Sequence, residues 1–172
     1  NRLWRPNNTL GQRGLFQRQW ALGNGQGYKD ESLMLERNII DLMMEFLQKK
    51  WGDGLEELIG PEETVKQYLS FHFMNGNIMW VNDEFGNIKG LLISYPCDQE
   101  EVGDCVNFNW SLPKGENCIF VAELVAEDAE ARNLLANGFL QRYPMKKKSY
   151  ATRRGKLVEI KAHDISETFL KN

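Results

Sequence analysis

Two side chains stand out for the chemistry they would permit. Glu123 interrupts a nearly continuous apolar run, Cys118-Ile119-Phe120-Val121-Ala122-Glu123-Leu124-Val125. A carboxylate placed there is costly to bury without a partner. It is therefore either ion-paired, with Arg153 or Arg154 as the available cations, or kept as a proton acceptor. His72 lies in Ser70-Phe71-His72-Phe73, at the end of an apolar helical face. A His and a carboxylate brought together can act as a general base toward a lysine amine. Taken singly, a histidine in that setting is a packed core residue, and both readings stand at this point.

Charge offers a second kind of chemistry. Arg142, Lys146, Lys147, Lys148, Arg153, Arg154 and Lys156 cluster late in the chain, and the segment 1–29 carries five cations and no acid. Such patches suit an acidic carrier protein or a nucleic-acid backbone, or they are a solvated surface balanced by the acids of 98–104 and 127–130. Neither region has an RNA-binding aromatic motif, a helix-turn-helix spacing or a zinc finger. There is no P-loop, G-x-S-x-G or H-E-x-x-H sequence. Cys97, Cys105 and Cys118 lack the spacing of a metal site or a disulfide framework. They read as reduced thiols, with Cys105 and Cys118 able to face each other on paired strands. No metal and no cofactor is expected.

These residues need elements to position them. The chain has 172 residues, 42% hydrophobic and 26% charged, with a net charge of −3. That is enough for one domain plus an extension. Residues 1–29 are rich in Gly, Asn, Gln and Arg, with isolated apolar anchors such as Trp4, Phe16 and Trp20. A segment of that composition cannot offset its own ordering entropy. It is read as an arm that either wraps its own domain or docks on a neighbouring subunit. The domain proper spans 30–172. Leu35, Ile39, Leu42, Met43, Phe46 and Leu47 recur at helical spacing from Asp30 on, up to Trp51. Pro61-Glu62-Glu63 opens a second helix with Val65, Tyr68, Leu69 and either His72 or Phe73 inward. Ile78–Val81 and Ile88–Tyr95 flank a polar turn and predict a hairpin. Cys105–Trp110 alternates and predicts a strand, Cys118–Val125 a buried strand, Ala129–Tyr143 a helix, and the segments around Arg154-Gly155 a closing hairpin. No run is long enough to span a bilayer, and a cytoplasmic setting is expected, or a virus particle assembled there.

Between Gly76 and Ile160 this order of elements resembles the GNAT-like acyltransferase fold: mixed α/β (α+β), a mostly antiparallel sheet flanked by about three helices. It is similar in flavour to the toxin-activating lysine acyltransferases, where a strand bearing an acid (here Phe120–Ala126) precedes a helix ending at an aromatic residue and Pro (here Tyr143-Pro144). That resemblance implies Glu123 and His72 as catalytic candidates, with Glu123 a departure from the family's Asp, and an acyl carrier protein as donor. GNAT enzymes that use acyl-CoA seat its pyrophosphate on an Arg/Gln-x-x-Gly-x-Gly/Ala loop at a helix mouth. The corresponding stretch here, Ala126-Glu127-Asp128-Ala129-Glu130-Ala131, has no Gly and three carboxylates. The expectation is a non-catalytic or divergent member, a pseudoenzyme acting in a protein assembly such as a phage virion through its arm. The alternative is a divergent acyltransferase acting on a protein amine.

Overall fold

In the computed structural model of the chain, residues 4–5, 27–52, 54–143, 148–153 and 156–160 are described, the backbone alone at 4–5, 27–37, 58 and 153. The chain separates into two compact units, Asn7–Asn77 and Asn1–Pro6 with Ile78–Asn172.

The first unit is helical. Helix α1, Gly27–Trp51, begins three residues before the predicted Asp30, and α2, Gly54–Leu58, is a short turn of helix that the periodicity did not announce. Helix α3 spans Glu62–Met74, with Pro61 at its N-cap and Glu62 and Glu63 in the positive first turn. Met43, Phe46 and Leu47 of α1 are buried, as are Val65, Tyr68, Leu69 and His72 of α3. Both sets follow the i, i+3, i+4 spacing of one helical face, and the two helices pack together. Lys66 reaches Asp41 at 3.7 Å and Glu62 at 3.4 Å, exposed pairs that contribute little.

The second unit is built on a sheet of six strands among the described residues, in the order β1 Trp4–Arg5, β2 Ile78–Asn82, β3 Ile88–Cys97, β4 Cys118–Ala126, β5 Lys148–Arg153 and β6 Lys156–Ile160. Every neighbouring pair is antiparallel except β4 and β5, which are parallel. That pair needs a crossover, and helix α5, Ala129–Arg142, supplies it. The α+β class and mixed, mostly antiparallel sheet expected above are the ones observed. The β2–β3 turn is held by Asp83, whose Oδ1 accepts from the Phe85 and Asn87 amides at 2.9 Å each. Gly86 takes φ +87° there, a conformation a side chain would oppose.

Leu135, Ala136, Phe139 and Tyr143 of α5 pack on Met79, Val81, Leu92, Ile119, Val121 and Ile160 across one face of the sheet. The helix can come close because Gly90 of β3 has no side chain: a Cβ there would lie 3.0 Å from Leu135 Cδ1 and 3.3 Å from Ala131 Cβ. A second cluster covers the opposite face near one end of β3 and β4, with Tyr95, Cys97, Phe120, Cys118 and Tyr150 meeting Val102 and Cys105.

Two expectations are corrected. Cys105–Trp110 is not a strand: a 3-10 turn, Gln99–Glu101, leads into the five-residue helix α4, Val102–Val106, and the chain then runs irregularly to Asn117. Carboxylates organise this segment rather than alternation. Glu101 accepts from the amides of Asp98 at 2.7 Å, Gly115 at 3.0 Å and Lys114 at 3.1 Å, and Asp98 Oδ1 from those of Glu116 and Asn117 at 3.2 Å each. The alternating Val106 and Trp110 are exposed accordingly, and Trp110 sits at φ 64°. Cys105 and Cys118 therefore do not face each other across strands; the residue opposite Cys118 is Cys97 of β3. The arm also holds one element, since Trp4–Arg5 pairs with Trp80 and Val81. Its remaining length, with Phe16 and Trp20, lies outside the described residues.

Candidate functional site

Strand β4 carries the chemistry because two irregularities meet on it. The first is a register shift against β3: Ile93 lies opposite Glu123 but Ser94 opposite Val121, so Ala122 is an extra residue. Ile119 and Val121 project into the α5 core, and so do Leu124 and Ala126, while Ala122 packs with the opposite cluster. Unbroken alternation from Val121 would have sent Glu123 into the α5 core. The bulge instead turns it to the face of Tyr95 and Phe120, because one extra residue inverts the facing of everything after it.

The second irregularity is on the other side of the strand. Parallel pairing with β5 runs from Cys118–Lys148 to Val121–Ala151 and stops, although β4 continues to Ala126. Among the described residues no strand pairs with the β5-facing edge of Ala122–Ala126. The two strands part where the bulge sits, leaving backbone N–H and C=O groups available to an extended ligand.

Glu123 stands at this fork, half-buried. Burial pushes its carboxyl up to about 7, since it strips hydration from the charged form. Among the described residues no salt bridge to it occurs; the side chains of Arg153 and Arg154, its expected partners, lie outside them. A carboxylate titrating near neutrality is divided between base and acid at working pH, the condition under which general base catalysis is most effective.

The mouth of α5 is arranged in the opposite way. Asp128 caps the helix, its Oδ1 accepting from the Ala131 amide at 2.7 Å. Its Oδ2 meets Lys89 Nζ at 3.0 Å, and Glu130 Oε2 meets the same ammonium at 3.4 Å. Lys89 comes from β3, with its side chain only 9% exposed, and its carbonyl accepts from the Glu127 amide at 2.8 Å. The carboxylates at this mouth are legible in the sequence, whereas the cation that answers them is not among the expected site residues. Its signal was the lone Lys inside the apolar run Ile88–Tyr95.

His72 belongs to the helical unit and Glu123 to the sheet unit. The histidine ring is fully buried. Asn77 Nδ2 lies 3.1 Å from its Nδ1, and Tyr68 and Phe71 meet it edge-on with centroids at 4.5 and 5.3 Å. Burial lowers its pKa to about 4, so the ring is uncharged at neutral pH, and an amide donated to Nδ1 places its proton on Nε2. Of the basic cluster, Arg142 lies over the Tyr143 ring, 5.4 Å from its centroid, and Lys148 is exposed at the start of β5. Lys146, Lys147 and Arg154, and the side chains of Trp4 and Arg153, fall outside the described residues. Among the described residues no group of three or more His, Cys, Asp or Glu side chains is arranged to hold a metal ion, and no helix is long and apolar enough to cross a membrane.

No family model and no curated protein matches the chain. Among solved structures it is similar to a protein from Corynebacterium glutamicum described as histone acetyltransferase HPA2 and related acetyltransferase, at 14% identity and a TM-score of 0.39, over 67% of this chain and 70% of that one.

Proposed function

We propose that the sheet unit is a GNAT-like acyl-transfer domain in which Glu123 is the general base and the β4–β5 fork holds the acyl donor. The observation that supports this most directly is the coincidence of three features at one place. A bulge aims a carboxylate, burial brings its pKa to about 7, and the strand edge beside it loses its partner. An acyl thioester carried on an amide-containing arm can lie along such an edge as an added strand. Glu123 then takes a proton from the incoming amine, the amine nitrogen bonds to the thioester carbonyl carbon, and the C–S bond breaks to release a thiolate that takes up that proton.

The helix mouth selects the donor. A pyrophosphate there would compete with Asp128 for the Ala131 amide and meet Glu130 nearby, both already balanced by Lys89. An acyl carrier protein, whose acyl arm needs no nucleotide anchor, suits that mouth better than acyl-CoA. The same feature favours a second reading, a non-catalytic member that keeps the fold for a role in an assembly such as a virus particle. His72, neutral and enclosed, has a structural role in either case.

One experiment separates the two readings. Purified protein is incubated with acyl carrier protein or acyl-CoA and lysine-containing peptides, and acylation is followed by intact mass. Transfer from the carrier protein is expected, with a rate that rises through about pH 7 as Glu123 ionises and falls at least about 100-fold in Glu123→Gln. Full activity in that variant removes Glu123 from the mechanism. No transfer by the wild type from any donor leaves the assembly reading.

A further inference from the structure

The sheet face opposite α5, to which Glu123 also turns, gathers all three cysteines. Cys97 and Cys118 are opposite residues of β3 and β4, and Cys105 of α4 packs into the same cluster with Tyr95 and Tyr150. All three thiols are free and buried. Cys97 is fully enclosed, whereas Cys105 and Cys118 each keep 5% of their surface accessible, Cys105 alone at a depression. Cys105, with Ser111, Leu112 and Lys114, lines an open depression of about 210 Å3, which Cys97 and Cys118 do not reach. Behind it, Cys97 and Tyr95 pack in the same buried cluster as Cys105.

We propose that Cys105 is a thiol-exchange site for small disulfides, with Cys97 as the resolving thiol that closes an internal Cys97–Cys105 disulfide. The Cys105 thiolate attacks one sulfur of the entering disulfide, whose S–S bond breaks and releases a thiolate that takes up a proton. Cys97 then attacks Cys105 Sγ, its proton passing to the small thiolate that leaves. The new mixed disulfide breaks and the second small thiol leaves. Two protein thiols are oxidised, and one small disulfide is reduced to two thiols. The electrostatics agree with this division of labour. The Cys105 pKa is lowered, by Cys97 first and then Tyr95, against the opposing effects of burial and of the Glu101 and Asp104 carboxylates at the depression, whereas Cys97 is raised by its bond to Cys105 and by burial. The attacking position thus belongs to the sulfur that faces the depression. None of this depends on the acyl-transfer reading.

The test uses the full folded chain with cystamine, quenched by alkylation and read by intact mass and peptide mapping. Wild type should lose two thiols and yield a Cys97–Cys105 disulfide. Cys97→Ser should stop with one cysteamine attached to Cys105. Cys105→Ser should react at least about tenfold more slowly than wild type. Cys105→Ala serves as a second variant, and circular dichroism confirms that each variant is folded. A Cys97–Cys118 disulfide in the wild type, unchanged kinetics in both Cys105 variants, or reaction only in denaturant would each overturn the proposal.

Discussion

The mouth of α5 and the β4–β5 fork are neighbouring ends of one strand–helix connection, and they treat their polar groups oppositely. At the mouth, Asp128 answers a helix amide, and Lys89 answers Asp128 and Glu130. At the fork, Glu123 has no described ionic partner and the adjoining strand edge has no described strand beside it. A protein that only needed stability would complete both. Where an end is incomplete, as the fork is among the described residues, the free energy of the native state rises at that point, which is the usual physical trace of a place reserved for a ligand or a proton transfer. The difference also shows what kind of donor suits the chain: the mouth, a natural anion site, is filled by the protein's own charge.

The largest effect expected from this contrast is at the fork. Glu123 has a folded-state pKa of about 7, against an ordinary value near 4.5. Below the lower value the group is protonated in both states and contributes no pH dependence. Between the two, the folded chain holds the proton more tightly, so stability falls as pH rises, and the loss is complete above the folded pKa. The cost of the ionised form then reaches up to about 3 kcal/mol. Glu123→Gln should therefore match wild type near pH 4.5 and exceed it by up to that amount at pH 8, measured by urea unfolding across pH. A variant that is less stable than wild type at pH 8 would mean that Glu123 has a cation partner and that the fork is as complete as the mouth.

The mouth should respond in the other direction. Asp128→Ala removes the cap and leaves the buried Lys89 ammonium with a single carboxylate at 3.4 Å, a loss of about 2–3 kcal/mol. Lys89→Met should cost less than about 1 kcal/mol, because the acids it leaves have side chains 48% and 38% exposed and regain water. The double variant should then lose less than the two single losses added together, since the charge stranded by Asp128→Ala is no longer there. Strict additivity in a double-mutant cycle would show that Lys89 and Asp128 are not coupled, and the account of a self-satisfied mouth would fail.

Much of the frame was legible because it rests on local periodicity. The helical stripe ending at Trp51, the hairpin around Asp83–Asn87, the buried strand from Cys118 and the helix from Ala129 all follow from apolar spacing and turn residues. What escaped has non-local causes. The apparent strand at Cys105–Trp110 alternates, but its conformation is set by Asp98 and Glu101 binding amides up to nineteen residues away. Glu123 was visible as an acid in an apolar run, whereas its direction depends on a bulge that no residue type at Ala122 announces. The contact between Cys97 and Cys105 was invisible for the same reason, as was the role of Lys89. The pairing of Trp4 with Val81 draws on a segment whose composition alone predicts no strand at all.

The smallest expected effect concerns how the charge at the mouth is shared. Lys89 Nζ is 3.0 Å from Asp128 and 3.4 Å from Glu130, and the Glu130 side chain is 38% exposed. An exposed carboxylate at the longer distance contributes little beyond its interaction with the helix dipole, so Glu130→Gln should cost less than about 0.5 kcal/mol at low salt. Most of that difference should vanish in about 0.5 M NaCl, where screening acts within a few ångströms of an exposed pair. A salt-insensitive loss above about 1 kcal/mol would place Glu130 with Asp128 as an equal partner of the buried ammonium. The mouth would then be a tightly held three-charge cluster, with both carboxylates weighing equally in the proposed exclusion of phosphate.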